Sequence, residues 1–333
     1  MNATFLKSIL IISALISVVV VGCVSCSEED DTAVAEGETT GDGLVLAVDS
    51  SLFLTNDGSV IITTVPCTLS DGTVTDCYQI VATSTPADHQ MGPWCPENIA
   101  DGDEAGGIWL ENGQVYDVDG AFIENMATFY NDDTWLMYNE NGDIFITETE
   151  EDCANAANPN VGEEYENFCV ECLPSYVADL TQTYLIPITP VKLSSSENFG
   201  GDGPGGGNGP SVRGIAFNGV RYDAPAPTDA ILGAYTLAPF DDAGGHINLN
   251  AGYHYHAATG VNTQLAQDDG HAAMIGYAID GHGFYAQLDA EGNEPTGLDD
   301  CRGHEDETRG YHYHADAPGS NNFINCLNGA YAN

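Results

Sequence analysis

The chain has 333 residues, which allows one large β domain or two domains of ordinary size, and 43% hydrophobic residues suffice for a core. Asp and Glu number 51 against 6 Lys and Arg, a formal net charge of −45, and no Lys or Arg occurs between Lys7 and Lys192. The carboxylates repel one another, and salt, bound cations or solvation must relieve that repulsion. The scarcity of Lys and Arg argues against binding nucleic acid or an anionic membrane through a basic patch.

The N-terminus resembles a bacterial lipoprotein signal. Lys7 precedes the apolar run Ile9–Val21, which is short for a membrane span and lacks a basic stop-transfer flank. A signal peptide over residues 1–25 is predicted, with Cys26 as the lipidated residue and Cys23 as the alternative. Cys23 fits the usual lipobox better, whereas cleavage before Cys26 leaves an even set of eight cysteines. Either choice predicts an exported lipoprotein at the outer membrane or cell surface.

Residues 26–43 are acidic and rich in Gly, Thr and Ala, and we predict a disordered tether there. From residue 44 to 197, short apolar runs alternate with turn dipeptides, as is typical of an antiparallel meander. The predicted strands are Leu44–Val48, Val60–Ile62, Tyr78–Val81, Ile108–Leu110, Gln114–Tyr116, Thr134–Tyr138 and Asp143–Ile146. Asp-Gly or Asn-Gly turns are predicted at 57–58, 71–72, 112–113, 119–120 and 141–142. We expect a mainly β fold of antiparallel sheets, sandwich or barrel-like, with long loops, few short helices and disulfides.

Two acidic stretches, residues 117–124 and 139–143, faintly resemble calcium loops. Neither completes the calcium-loop pattern, and hairpin turns explain both. Calcium is therefore only a weak candidate ligand.

Residues 198–213 are rich in Gly and Pro but lack the Lys-Ser/Thr ending of a phosphate loop. They form a flexible loop or linker, either between two domains or within one.

Eight cysteines in an exported chain favour disulfides over a thiolate metal site. Cys67 and Cys77 bracket an Asp-Gly turn, so we expect them to pair across a hairpin. Cys301 and Cys326 flank residues 310–315 and are also expected to pair. Residues 169–172 have C-x-x-C spacing, but without a βαβ pattern or a second such motif we interpret these cysteines as structural.

The hexapeptide Gly-Tyr-His-Tyr-His-Ala occurs twice, at Gly252–Ala257 and Gly310–Ala315. On a strand, the two histidines of each copy face one way and the two tyrosines the other. Imidazoles at i and i+2 lie about 6–7 Å apart at Cβ, close enough to share a zinc, copper, iron or nickel ion. If the copies pair as adjacent strands, four histidines would form one site or two neighbouring ones. The alternative is that the rings are half-buried and hydrogen-bonded to carboxylates. The candidate ligands are His246, His254, His256, His271, His282, His304, His312 and His314.

The order of motifs resembles the YHYH-domain family of exported bacterial and algal proteins. The motifs are Asp88–Gly92, Tyr184–Pro187, Gly214–Val220, Asp241–Asn248, Gly252–His256, Ile275–Gly281 and Asp299–His304. The resemblance spans about residues 77–331, with its core at 214–333. The family often has a cysteine where Ala243 stands and an aromatic-proline pair near His282, so here a disulfide is expected to be missing and an imidazole added. The resemblance implies export and domain type, but no established activity.

Three functions follow from these patterns. The first is an exported, lipid-anchored protein that binds zinc or copper through clustered histidines. The second is a structural, adhesion or glycan-contacting surface lipoprotein without metal. The third is a metal-dependent hydrolase in which Asp280 or Glu305 acts as base beside a zinc-bound water. An enzyme is less favoured, and no G-x-S-x-G motif occurs. The implied partners are a membrane and a metal ion, and no nucleic acid.

Overall fold

The computed structural model describes residues 38–40, 43–157, 160–199 and 209–332. The predicted signal peptide, both lipidation candidates Cys23 and Cys26, most of the predicted tether and the centre of the Gly/Pro-rich segment lie outside these described residues. Within the predicted tether, Glu38–Thr40 pairs as a short strand with Gly43–Val45.

The described chain is mainly β, as predicted, with mostly antiparallel strand pairs, long loops and few short helices. The strands are β1 Glu38–Thr40, β2 Gly43–Val45, β3 Val60–Thr68, β4 Val74–Thr83, β5 Ile108–Glu111, β6 Gln114–Asp117, β7 Phe168–Cys169, β8 Thr181–Pro187, β9 Lys192–Asn198, β10 Gly214–Ala216, β11 Arg221–Tyr222, β12 Thr236–Leu237, β13 Gly245–Asn248, β14 Gly252–Tyr255, β15 Met274–Ala278, β16 Gly283–Tyr285, β17 Gly303–Asp306, β18 Gly310–His314 and β19 Cys326–Gly329. The α-helices are α1 Gly120–Glu124, α2 Met126–Phe129, α3 Glu150–Ala156 and α4 Thr228–Gly233. Short 3-10 helices lie at Ser50–Leu52, Asp103–Ala105, Glu163–Tyr165, Pro174–Tyr176 and Pro318–Ser320.

The N-terminal part contains the predicted hairpins at two places. β3 and β4 pair across the 71–72 turn, and β8 joins them as a third strand. β5 and β6 pair across the 112–113 turn. Thr134–Tyr138 and Asp143–Ile146 are not strands; the single bridge Tyr138↔Ile144 pairs one segment with the other.

The turn predicted at residues 119–120 is wrong, because a helix begins there. The Asp119 carboxylate accepts a hydrogen bond of 2.6 Å from the backbone N–H of Phe122 and so caps α1. Satisfying a free N–H of the first helical turn in this way stabilises a helix by about 1 kcal/mol. An Asp-Gly pair can therefore begin a helix as readily as it makes a hairpin turn.

The largest sheet has eight strands in the order β13-β14-β11-β10-β15-β16-β18-β17. Its central pair, β10 and β15, is antiparallel with Ile215 opposite Tyr277. Outward from this pair each half repeats the same sequence of contacts: an antiparallel hairpin, a parallel neighbour and a second antiparallel hairpin. The sheet is thus an internal duplication about an approximate two-fold axis between β10 and β15.

The duplication is also present in the sequence of the inner hairpins. Gly214-Ile-Ala-Phe-Asn-Gly219 in the first half aligns with Gly276-Tyr-Ala-Ile-Asp-Gly281 in the second. The hexapeptide copies occupy β14 and β18, near opposite ends of the sheet, with β11, β10, β15 and β16 between them. The two copies therefore do not pair as adjacent strands, the condition under which their four histidines would form one site or two neighbouring ones, because each copy pairs with strands of its own half.

One hydrophobic core joins the N-terminal part to this sheet. The ring of Phe53 lies 5.9 Å from that of Phe217 and 6.0 Å from that of Tyr277, and Trp109 stacks on Phe240 at 6.1 Å. Among the residues that the structure describes, no helix has the length and apolar character needed to cross a membrane.

All eight cysteines of the described residues form disulfides, four in number. Cys67–Cys77 and Cys301–Cys326 form as predicted. The two cysteines of residues 169–172 bond to different partners, in Cys95–Cys169 and Cys153–Cys172. Both are structural, which confirms the interpretation of that motif.

Candidate metal centres

Four histidines of the second half of the sheet converge on one point. They form the second cluster, His271, His304, His312 and His314, and one nitrogen from each lies within 4.8 Å of all the others. Nε2 of His312 is 2.9 Å from Nε2 of His304 and 3.1 Å from Nε2 of His271. Nε2 of His314 is 3.2 Å from Nε2 of His304. Four nitrogens bound to one zinc at 2.0–2.1 Å would lie about 3.4 Å apart, so this spacing is close to that of a filled tetrahedral site.

Strand register brings these rings together. His304 on β17 lies directly opposite His312 on β18, and His314 follows on the same face of β18. His271 comes from the loop that precedes β15. This geometry confirms that the two histidines of a hexapeptide copy face the same way.

Backbone carbonyls fix the orientation of three of the four rings. Nδ1 of His312 bonds to Gly310 O at 2.9 Å, and Nδ1 of His314 bonds to Ala286 O at the same distance. Nδ1 of His271 bonds to Ala272 O at 3.0 Å. A carbonyl oxygen can only accept, so each Nδ1 carries the proton and each Nε2 presents a lone pair. The Nε2 lone pairs of His312 and His271 then face each other at 3.1 Å, a repulsion that a cation bound between them would relieve. Backbone carbonyls that accept the second ring N–H are also the outer-shell arrangement found around metal-bound histidines.

The first cluster repeats this design with three rings, His246, His254 and His256. Their ring centroids form a nearly equilateral triangle with sides of 4.8, 4.9 and 4.8 Å. Nδ1 of His254 bonds to Gly252 O at 3.0 Å, and Nδ1 of His256 bonds to Ala224 O at 2.7 Å. Both carbonyls are the counterparts of those used in the second cluster. His256 Nε2 is buried, and no described group hydrogen-bonds to it.

Burial keeps these rings neutral, as metal ligation requires. Burial, reinforced by the neighbouring imidazoles, lowers the pKa of His256 and of His314 to about 3 and that of His312 to about 4. Burial likewise lowers the pKa of His246 and of His254 well below the ordinary value. At neutral pH the free electron pairs of these rings are therefore available.

The tyrosines of the hexapeptides anchor the opposite face. The hydroxyl of Tyr253 donates to Asp241 at 2.8 Å, and that of Tyr311 donates to Asp299 at 2.9 Å. The two carboxylates also accept backbone N–H groups of the turn that leads into β13 or β17. Each aspartate thereby holds its hairpin in the register that aligns the histidines.

Seven of the eight candidate ligands lie in the two clusters, and His282 lies in neither. Its Nδ1 is 3.2 Å from Asp280 Oδ2, and its ring packs against Tyr311 at 5.1 Å, on the tyrosine side of the sheet. Asp280 accepts the Tyr313 hydroxyl there. Glu305 is exposed and follows His304 on β17, so it faces away from the rings. Neither proposed base is placed to act on a metal-bound water.

Two groups were missed from the sequence. Asp223 Oδ2 lies 4.0 Å from His254 Nε2. His89 packs against Tyr253 at 5.8 Å and Tyr255 at 6.0 Å, much as His282 packs against the tyrosines of the second copy. Alignment of the two inner hairpins would have indicated Asp223, because it aligns with Tyr285, beside the second cluster.

A comparison with known protein families covers one of the two histidine clusters. A family model described as YHYH protein matches residues 183–296. Residues 183–296 are therefore similar to the YHYH protein family. The match is shorter than the resemblance over residues 77–331, and it ends between the two hexapeptide copies. The first cluster therefore lies within the matched residues, whereas His304, His312 and His314 lie beyond them. No curated protein and no solved structure matches the chain.

Proposed function

We propose that this is an exported, lipid-anchored YHYH-domain protein that binds transition-metal ions, zinc or copper, one at each histidine cluster. The observation that carries the proposal is the convergence of four Nε2 atoms in the second cluster, three of which belong to rings whose Nδ1 protons go to backbone carbonyls. Hydrogen bonds to carboxylates, the structural alternative, would instead direct these nitrogens to separate partners.

The ligand chemistry narrows the choice of ion. Neutral imidazoles suit zinc and copper, whereas calcium takes oxygen ligands. The net charge of −45 raises the concentration of cations around the protein. A protein on the cell surface with these properties would collect a scarce divalent metal and hold it.

Export is supported by the oxidised cysteines. Four disulfides form and persist only in an oxidising compartment in most organisms. The lipid anchor rests on the sequence around Cys26, or Cys23, which is outside the described residues. Mass spectrometry of the mature N-terminus, with Cys26→Ala and Cys23→Ala as matched variants, tests the anchor and its position.

The metal content of the purified full-length protein tests the function. After incubation with zinc and removal of the excess, we expect two ions per chain by elemental analysis. His254→Gln and the double variant His312→Gln/His314→Gln should each retain one, because each leaves only two histidines in its cluster. His282→Gln, which removes a histidine outside both clusters, should retain two.

The result that would contradict the proposal is a folded protein without bound zinc or copper at neutral pH. A metal content that falls equally in His282→Gln would also contradict it, since the loss would then reflect damage to the fold. A metal-free variant that lacks both clusters and keeps both its fold and its partner binding would favour the structural or adhesion function.

A further inference from the structure

The two clusters differ at one coordination position. His246, His254 and His256 align with His304, His312 and His314 through the register of the outer hairpins. The fourth ring of the second cluster, His271, has no such counterpart. When Gly214–Gly219 is aligned with Gly276–Gly281, the residue at the position of His271 is Gly209. The first cluster therefore offers three imidazoles where the second offers four.

The side chain beside the first cluster also differs from its counterpart. Tyr285 packs against His271 and His312, with ring centroids 4.9 Å away in each case. At the aligned position stands Asp223, 4.0 Å from His254 Nε2. The second cluster thus has four histidines beside the bulky ring of Tyr285, whereas the first has three histidines beside the small carboxylate of Asp223.

Asp223 is held beside the cluster by other groups. Its Oδ1 accepts the backbone N–H of Ala224 at 2.8 Å, and its Oδ2 pairs with the Arg221 guanidinium. It is too far from His254 Nε2 for a hydrogen bond. The carboxylate therefore occupies an outer position, from which it can accept a proton of a molecule bound to the metal.

We infer that the first cluster binds its metal through three histidines and completes the coordination with water or hydroxide from solvent, which a small anion can replace. Closed sites in proteins have four protein ligands, and open ones have three with water in the fourth position. The buried, unpartnered Nε2 of His256 points to a ligand at this cluster independently of the alignment. The inference rests on the proposed function, because the exchangeable ligand binds to the metal.

Packing limits the size of that ligand. The ring of Phe240 covers His246 at 5.0 Å and His256 at 5.3 Å, and both His254 and His256 are buried. Only the half-buried His246 provides an edge towards solvent. The exchangeable ligand is therefore water, hydroxide or a monoanion of a few atoms, such as azide.

Cobalt in place of zinc provides the test, because its visible absorption responds to a change of ligand. With two cobalt ions per chain, azide should change the spectrum and saturate at one azide per chain. The double variant His312→Gln/His314→Gln, which leaves only two histidines in the second cluster, should retain the full azide response. His246→Gln, at the partly exposed ring of the first cluster, should abolish it.

One variant is designed to convert the second cluster into a copy of the first. His271→Gln removes a partly exposed ring that comes from a loop, so the hairpin itself is kept. It should raise the number of bound azides from one to two. Circular dichroism of each variant would establish that the fold is retained.

Two cobalt ions with no azide response would overturn this inference alone, because a protein group such as Asp223 would then complete the site. A response that is lost in His312→Gln/His314→Gln but kept in His246→Gln would overturn it as well. Failure of cobalt, zinc and copper to bind at all would overturn the proposed function together with the inference.

Discussion

The two outer hairpins have the same register and the same hydrogen bonds from histidine to carbonyl, yet they are supported differently. In the first, the Trp94 indole N–H donates to Gly245 O at 3.0 Å, and the Gly92 N–H donates to Asp241 at 3.0 Å. In the second, the Cys301–Cys326 disulfide ties the turn before β17 to β19. Ala243, the counterpart of Cys301, is buried without a cross-link.

This difference shows which features the two histidine clusters depend on. The features that both halves share are those that orient the rings: the hairpin register, the glycine carbonyl before each histidine pair, and the aspartate behind each tyrosine. The features that differ are the contacts that support each hairpin from outside. The first hairpin is supported by packing and hydrogen bonds from another part of the chain, and the second by a disulfide. The fourth histidine, His271, also has no counterpart in the first half, so the two clusters have different geometry.

The largest expected effect comes from removing the disulfide of the second hairpin. Cys301→Ala combined with Cys326→Ala opens a loop of 25 residues, which should lower the free energy of unfolding by about 3 kcal/mol. Guanidinium denaturation measures this loss. Because the first hairpin has no disulfide, a chelator should remove metal from the second cluster more readily than before and from the first cluster as before. Greater loss from the first cluster would contradict the comparison.

A second prediction concerns pH in the metal-free protein. The pKa of His256 and of His314 is about 3 in the folded state, and that of an unfolded histidine is about 6.5. The unfolded state therefore takes up more protons as the pH falls below about 6.5, so stability is lost between there and pH 3. Each ring should therefore lower the free energy of unfolding by about 2 kcal/mol at pH 5 relative to pH 7.5.

His256→Gln and His314→Gln separate these contributions. Because the two rings occupy aligned positions with aligned carbonyl partners, each variant should reduce the pH dependence of the unfolding free energy by a similar amount. Denaturant titrations at pH 7.5 and pH 5 measure it. An unchanged pH dependence in either variant would show that the halves are not equivalent in this respect.

The smallest expected effect distinguishes the tyrosine anchors. Tyr313 donates to the buried carboxylate of Asp280 at 2.6 Å, whereas the Tyr255 hydroxyl accepts from the Asn218 amide at 2.8 Å. Hydrogen bonds to charged groups contribute more than neutral ones. Tyr313→Phe should therefore cost about 2 kcal/mol of stability and Tyr255→Phe about 1. Equal costs in thermal or chemical denaturation would contradict the assignment.

Local patterns predicted the local geometry well. Alternation along the hexapeptides predicted that His254 and His256 share a face, and likewise His312 and His314, as found. Short β-prone runs around Asp-Gly and Asn-Gly turns predicted the β3–β4 and β5–β6 hairpins. These features depend on side-chain alternation and turn chemistry, which act within a few residues.

Long-range pairing was not predictable in the same way. Which strands lie between the two copies depends on contacts between residues far apart in the chain, and the hexapeptides alone hold no information about it. The repeated Gly-x-Ala-x-Asn/Asp-Gly pattern at residues 214–219 and 276–281 does hold that information, because it reveals the duplication. His282 was included among the ligands on proximity in sequence, but its place after a turn directs it to the tyrosine side.

The most direct test of the account is a crystal structure of the zinc-loaded protein with anomalous scattering measured at the zinc edge. We expect two peaks. One should lie about 2.0–2.1 Å from Nε2 of His271, His304, His312 and His314, and the other at that distance from three histidines and one non-protein ligand. Intact hairpins with no peak at either cluster, their imidazoles hydrogen-bonded to one another, would contradict it.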